Sequence, residues 1–466
     1  MSEHAQRRFA AVTRRWIATV ALVLALGGRA GAQPEAVAPH DDAPPSAAPA
    51  AAAPAAPAPA PDAPPPSEPP ATSVPSEPPV LESDSLRSSI SGIQIHGFAS
   101  EGGFVSTAND YLGPSSRGTL EFFEAAINLS TEVSDRLRVG VQLFGRDAGQ
   151  FRDLPPRLDW AYLDYHWKPW LGVRAGVIKM PYGLYNEYAD IDNSRLAILL
   201  PQSVYPYRNR SALLSHTGLS LYGAIDLDAG GELDYQAWLG TLTVPENALE
   251  LSGGSLDSID SKYVTGAQVF WQPPIDGLRL GATYVRFSLD FHITLDPALI
   301  DAVIMAGLAQ PGYDGKLLVS QRPGSSSIGS IEYTRGDWIF AAEYARSFKR
   351  QRSSLPALVP TTESTSDSLY AMVTRRLTEL VEVGGYYGVA FADVNDRDGH
   401  DKMVFPESYD AFQRDLAGTL RLDINDHWLW KVEGHFIDGT ADLERSLNPH
   451  RDRYWGLFLF RTTVAF

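Results

Sequence analysis

Residues 412–438 read FQRDLAGTLRLDINDHWLWKVEGHFID. Leu416, Leu420, Leu422 and Ile424 fall on one parity, Asp415, Thr419, Arg421 and Asp423 on the other. After Asn425-Asp426 the alternation restarts, with Trp428, Trp430, Val432 and Phe436 set against Lys431, Glu433 and His435. Successive side chains of a strand point to opposite faces, so each half is a strand with one apolar and one wet face. The turn formers between them make the pair a hairpin.

The pattern spreads outward in both directions. Val381, Val383, Tyr387, Val389 and Phe391 oppose Glu382, Gly384, Tyr386 and Gly388, and Val139, Val141 and Leu143 oppose Arg138, Gln142 and Arg146. About sixteen such segments occupy residues 92–466. Their connections alternate between tight turns (Ser134-Asp135-Arg136, Lys168-Pro169-Trp170, Gly336, Asn425-Asp426) and long polar loops at 107–119, 147–156, 181–213, 242–260, 291–324, 350–365, 394–411 and 439–452. Short turns on one side and long loops on the other are the rhythm of an outer-membrane barrel, and an even strand count keeps both chain ends on the short-turn, periplasmic side. Lipid offers no hydrogen bonds, so a sheet with an apolar face toward it must close on itself. The expected fold is therefore all-β: a transmembrane antiparallel β-barrel in the cell outer membrane, in contact with outer-membrane lipids. Trp167, Trp170, Trp271, Trp338 and Trp428 sit beside the tight turns, where an aromatic girdle meets headgroups. Phe458, Phe460, Thr462, Val464 and Phe466 alternate to the last residue, and Phe466 is the expected signal to the barrel-assembly machinery.

The N-terminal part fits export. Trp16 to Gly28 is an apolar run preceded by Arg7, Arg8, Arg14 and Arg15 and followed by Ala30-Gly31-Ala32. It is too short for a spanning helix, which needs roughly 20 apolar residues, and reads as a signal peptide, residues 1–32. Arg14-Arg15 does not continue into a convincing twin-arginine pattern, so general secretion is expected. Residues 33–91 are mostly Pro, Ala, Ser and acids and cannot offset their chain entropy by burial; they read as a disordered tether. The barrel is then residues 92–466.

The 466-residue chain carries a net charge of -17, is 44% hydrophobic and has no cysteine. The acidic balance argues against nucleic acid as a partner, and the missing cysteines exclude disulfides, thiolate metal sites and a lipidated N-terminal cysteine. No Gly-x-Ser-x-Gly, His-Glu-x-x-His or phosphate-binding glycine loop is present. Asp393 to Asp401 looks like a calcium loop, but counting from Gly399 puts the first ligand on Val394 and the closing position on Phe405, so no metal or cofactor is expected. His292, His400, His435 and His450 lack a nucleophile context, which leaves a barrel enzyme of lipase or protease type as an alternative, together with an envelope-anchoring structural barrel.

The run Gly172-Val173-Arg174-Ala175-Gly176-Val177-Ile178-Lys179-Met180-Pro181-Tyr182-Gly183, with Leu199-Leu200-Pro201-Gln202-Ser203-Val204-Tyr205 and Arg208 to Gly218, resembles the sixteen-stranded phosphate-selective porin O and P family. The close resemblance covers about a tenth of the barrel. It implies a water-filled channel for passive diffusion of small hydrophilic solutes or ions, a homotrimer, and a third loop, 181–213, folded into the lumen. Arg195, Arg208 and Arg210 would then face Glu187, Asp190 and Asp192 across the narrowing, with Lys179 at its entrance, and opposed charges there would set a transverse field. Alternatively these charges pair and rivet the loop to the wall. Parity assigns Arg138, Arg146, Arg421, Lys431 and Arg461 to the lumen wall, but also Glu124, Glu132, Asp234, Glu343, Glu382, Asp415, Asp423 and Glu433. Phosphate selectivity needs a dense cationic ladder, and this wall is mixed.

Overall fold

The computed structural model describes residues 92–149, 151–189, 191–243, 253–445 and 447–466, apart from the side chains at 152–155, 209 and 211–212. The expected signal peptide and tether lie outside the described residues, as does Asp190. Sixteen strands run β1 Ile93–Ser106, β2 Phe122–Ser134, β3 Leu137–Ala148, β4 Phe151–Lys168, β5 Leu171–Lys179, β6 Ser215–Asp226, β7 Glu232–Leu242 and β8 Gly254–Gln272. They continue with β9 Leu278–Leu295, β10 Lys316–Arg335, β11 Trp338–Ser353, β12 Thr362–Arg376, β13 Val381–Phe391, β14 Phe412–Asn425, β15 Trp428–Gly439 and β16 Tyr454–Ala465. Each strand pairs with its sequence neighbours and β1 pairs antiparallel with β16, so the sheet closes into a barrel. The seam is finished by Phe466, whose amide and carbonyl exchange 2.9 Å hydrogen bonds with Gly97. A side chain at 97 would collide with the Phe466 ring, which is why a residue without Cβ stands there.

The wet parity faces inward and the apolar parity outward, as the alternation requires. On β15 Lys431, Glu433 and His435 are buried, while Trp428, Trp430, Val432 and Phe436 are exposed on the outer surface. Trp167 and Trp170 meet edge to face beside the turn between β4 and β5, and Trp338 stacks on Phe340. Such rings are amphipathic and settle at a bilayer's interface.

The long-loop side differs from expectation. Segments 291–324 and 350–365 are not polar loops: β9 and β11 run on to Leu295 and Ser353, and β10 and β12 start at Lys316 and Thr362. A helix, Pro297–Met305, lies between β9 and β10, with Leu299 and Val303 buried. Likewise β4 starts at Phe151 and β8 at Gly254, inside stretches expected to be loop. The physical reason is a change of solvent. A strand crosses the hydrocarbon in roughly 9–11 residues, whereas β10 has 20. Past the lipid, apolar side chains no longer gain by pointing out. On β9 Tyr284 is exposed on the outer face, but higher up Leu289, Phe291, Ile293 and Leu295 are buried, alternating with Ser288, Asp290, His292 and Thr294. They pack with Leu299, Val303, Leu317, Val319, Leu358 and Val359 in one apolar cluster, so segments with a loop-like composition are held as sheet and helix.

Candidate functional site

Among the described residues between Lys179 and Ser215 there is neither strand nor long helix. They form a compact segment of 3-10 turns at Asn186–Tyr188, Asp192–Ser194 and Tyr207–Asn209 and a helical turn Arg210–Leu213. Gly183 enters it at φ +64°, and a Cβ there would strike the Tyr205 hydroxyl and the Glu343 carboxylate. Its middle, Leu196-Ala197-Ile198-Leu199-Leu200, is buried, as apolar side chains in the path of water would be expected to be.

Hydrogen bonds tie this segment to strands around most of the ring. Toward β8–β12, Gln268 donates to the Gly183 carbonyl at 3.0 Å, and the Tyr182 and Ser326 hydroxyls meet at 3.1 Å. Glu343 accepts from the Leu184 amide at 2.9 Å, from the Tyr370 hydroxyl at 2.7 Å and from the Tyr205 hydroxyl. Toward β14–β16, Arg421 donates to the Asn193 carbonyl at 2.8 Å and Lys431 to the Arg195 carbonyl at 2.8 Å. Glu433 accepts from the Ile198 and Leu199 amides at 2.8 and 2.9 Å, and Thr463 donates to Asp192 at 2.7 Å. Toward β2, the Tyr207 hydroxyl donates to Glu124 at 2.7 Å.

The charged residues singled out from the sequence divide between these contacts. Asp192 is the hub: Lys431, Arg461 and Arg195 stand 3.1, 3.5 and 3.8 Å from its carboxylate. Burial alone would raise its pKa, but Lys431, Arg461 and Arg195 together hold it well below the usual carboxylate range. Arg195 also donates to the Ala197 and Ile198 carbonyls. Arg208 pairs with Asp442 at 2.9 Å, and Arg210 with Asp159 at 3.3 Å while its guanidinium lies 3.8 Å from the Phe144 ring centre. These two arginines thus meet Asp442 and Asp159 rather than Glu187 or Asp192. Lys179 donates to the Glu187 carbonyl at 2.9 Å. The Glu187 carboxyl itself is pushed up by burial, which Arg174, Lys179 and Arg279 only partly offset.

On the wall, Arg461 pairs with Glu124 and covers the Phe122 ring, Arg421 pairs with Asp423 at 2.7 Å, and Arg138 donates to Ser130 at 3.0 Å. Arg146 is buried against Phe151 and Tyr207. His435 sits between Asp415 and Glu433, 3.0 Å from each. Glu343 and Glu433 were legible only as members of the wet face; their grip on backbone amides of a distant segment has no sequence signature. Asp159 and Asp442 carried no signal. Among the described residues no group of His, Asp or Glu could hold a metal ion, and Asp396 spends its carboxylate on the His400 and Asp401 amides at 2.7 and 2.8 Å.

A closed antiparallel ladder with apolar side chains outside and charges inside defines a sixteen-stranded outer-membrane β-barrel, and the chain is a protein of the cell outer membrane. No family model matches the chain, and no curated protein matches it. Solved structures similar to it include the outer-membrane-expressed OmpT of Vibrio cholerae, at 10% identity and TM-score 0.49 over 80% of this chain and 98% of that one. The outer membrane channel DcaP of Acinetobacter baumannii is similar at 12% identity and TM-score 0.48, covering 81% and 99%. An anion-selective porin from Comamonas acidovorans is similar at 10% identity and TM-score 0.48, covering 80% and 99%.

Proposed function

We propose that the barrel is a porin-type channel for passive diffusion of small hydrophilic solutes or ions, narrowed by the segment 181–213. The observation that carries this reading is the inward set of charges of both signs, Glu124, Arg146, Arg421, Lys431, Glu433 and Arg461, in a ring whose outer surface is apolar. Charges are kept away from lipid and turned inward only where partners or water satisfy them. The segment's hydrogen bonds to β2, β8, β10, β11 and β14–β16 support its role as a crossing constriction. Lys179, Glu187, Asp190, Asp192, Arg195, Arg208 and Arg210 are the residues of that constriction in this reading. Most of these charges are engaged as rivets; Arg208 is the more solvent-exposed of the two paired arginines and is placed to act on passing ions.

The finer points belong to the same proposal. Passage needs no catalysis and no cofactor; a homotrimer is expected, as is delivery by the barrel-assembly machinery through Phe466. Kinship with the phosphate-selective porins rests on the residues from Gly172 to Gly218 alone, and the mixed wall speaks for weak charge preference rather than phosphate capture. Planar-bilayer recording of the purified protein tests the channel: discrete conductance steps with a measurable reversal potential in a salt gradient are expected. Preparations that are folded yet electrically silent overturn it. They would favour the envelope-anchoring reading, whose support is the apolar cluster of β8–β12 that fills part of the interior.

A further inference from the structure

We infer that the outer surface of β11–β16 carries a docking belt for phosphate-bearing lipid headgroups of the external leaflet. The belt starts where the lipid-facing residues stop. Tyr344, Leu369, Tyr387, Leu416 and Phe436 are exposed on the outer parity of successive strands. Two residues further toward the long loops, on the same parity, stand Arg346, Asp367, Val389, Arg414 and Asp438. Register sets them in two groups, Arg346 opposite Asp367 on β11–β12, and Val389 opposite Arg414, Arg414 opposite Asp438 and Asp438 opposite Tyr454 on β13–β16, offset by two residues where Asp367 faces Phe391 and Val389 faces Leu369.

The same device occurs once in each group. Asp367 is held by Arg346 at 2.7 Å and by Arg397 at 2.5 Å, and Asp438 by Arg414 at 3.0 Å and Arg453 at 2.6 Å. In each clasp the carboxylate is covered while both guanidinium groups remain open to the outside: Asp367 is 4% exposed, Arg346 53% and Arg397 47%. Each clasp is rigid, because the arginines lie over aromatic rings. Arg397 is 4.8 Å from the Phe391 ring centre, Arg414 4.6 Å from Phe412, and Arg453 4.8 Å from Tyr454. Two cations on one acid leave a surplus positive charge at a fixed and exposed place. A planar guanidinium held in this way is suited to phosphate oxygens. Exposed ion pairs add little to stability, so a purely structural clip does not account for doubling them. The surplus faces the lipid side of the wall, where a diffusing solute does not pass, so the inference holds whether or not the barrel conducts.

Native mass spectrometry of the purified full-length protein, titrated with an acylated glycolipid carrying phosphates, its dephosphorylated counterpart and inorganic phosphate, tests the belt. The phosphorylated lipid alone should bind, and R397Q/R453Q should weaken it about tenfold or more. D367N/D438N, which frees the arginines of their acids, should tighten it. That sign also guards against a trivial loss of fold, since a damaged rim would weaken binding in both variants. Equal binding by wild type and R397Q/R453Q, weakening in D367N/D438N, retention of the dephosphorylated lipid, or competition by inorganic phosphate each overturns the inference.

Discussion

The Glu433 carboxylate accepts a hydrogen bond from the backbone amide of Ile198 at 2.8 Å, joining the wall to a segment 235 residues earlier in the chain. Its second oxygen takes the Leu199 amide, and Thr419 and His435 complete its surroundings. A charged acceptor on two amides is among the stronger uses of a hydrogen bond, about 1.5–3 kcal/mol each. E433Q should therefore loosen the segment. In single-channel recordings the expected outcome is larger or noisier steps, with the barrel still folded by gel mobility; unchanged steps would show that the pin does not set the opening.

Arg210 and Arg208 should separate on mutation. Arg210 is nearly buried, over Phe144 and against Asp159, so R210Q takes a cation from a buried acid that keeps the Gln142 amide at 2.9 Å, at a cost of up to about 3 kcal/mol. Its thermal unfolding, read by heat-modified gel mobility, should fall well below wild type. R208Q removes a more solvent-exposed partner of Asp442; it should leave unfolding nearly unchanged and move the reversal potential toward cation preference.

Acidification should act through Glu187 before Asp192. Burial raises the Glu187 pKa, so it takes up its proton at a higher pH than an ordinary glutamate, about 4.3. Being raised in the folded state, it opposes folding while ionised, and that cost shrinks as pH falls below its folded value and is gone below the unfolded one. Asp192 is held low, so its contribution is present at neutral pH and survives until far more acid conditions. As acidification protonates Glu187, the wild-type reversal potential should shift away from cations without loss of fold, and E187Q should lack that shift. A shift of the same size in E187Q would assign it to another carboxyl.

Gly183→Ala places a Cβ at φ +64° against Tyr205 and Glu343. A cost of about 1–3 kcal/mol is expected from the backbone conformation, concentrated in the segment rather than the ladder. Faster proteolysis within 183–208 with an intact barrel is the corresponding measurement.

Phe466 closes the seam through Gly97 and is the expected assembly signal. F466A keeps both backbone hydrogen bonds, so it should slow delivery to the outer membrane in cells while the purified protein refolds in detergent with near wild-type yield. Equal losses in both settings would make the ring a matter of stability alone.

The amino-acid sequence by itself determined the barrel. In the run 412–438, parity separates Trp428, Trp430 and Val432 from Lys431 and Glu433, and the ladder turns those sets outward and inward. This is legible because a strand's side-chain direction depends only on its neighbours along the chain, and lipid penalises any other choice. Tertiary structure alone decided the upper wall and the contacts of the segment between β5 and β6. Leu289 to Leu295 become sheet because Leu299, Val303 and Leu358 meet them there, and Arg208 finds Asp442, not Asp192, because β15 and β16 bring the loop between them over the Tyr207 turn. Such pairings depend on distances through space between residues far apart in the chain. Local alternation carries no record of them.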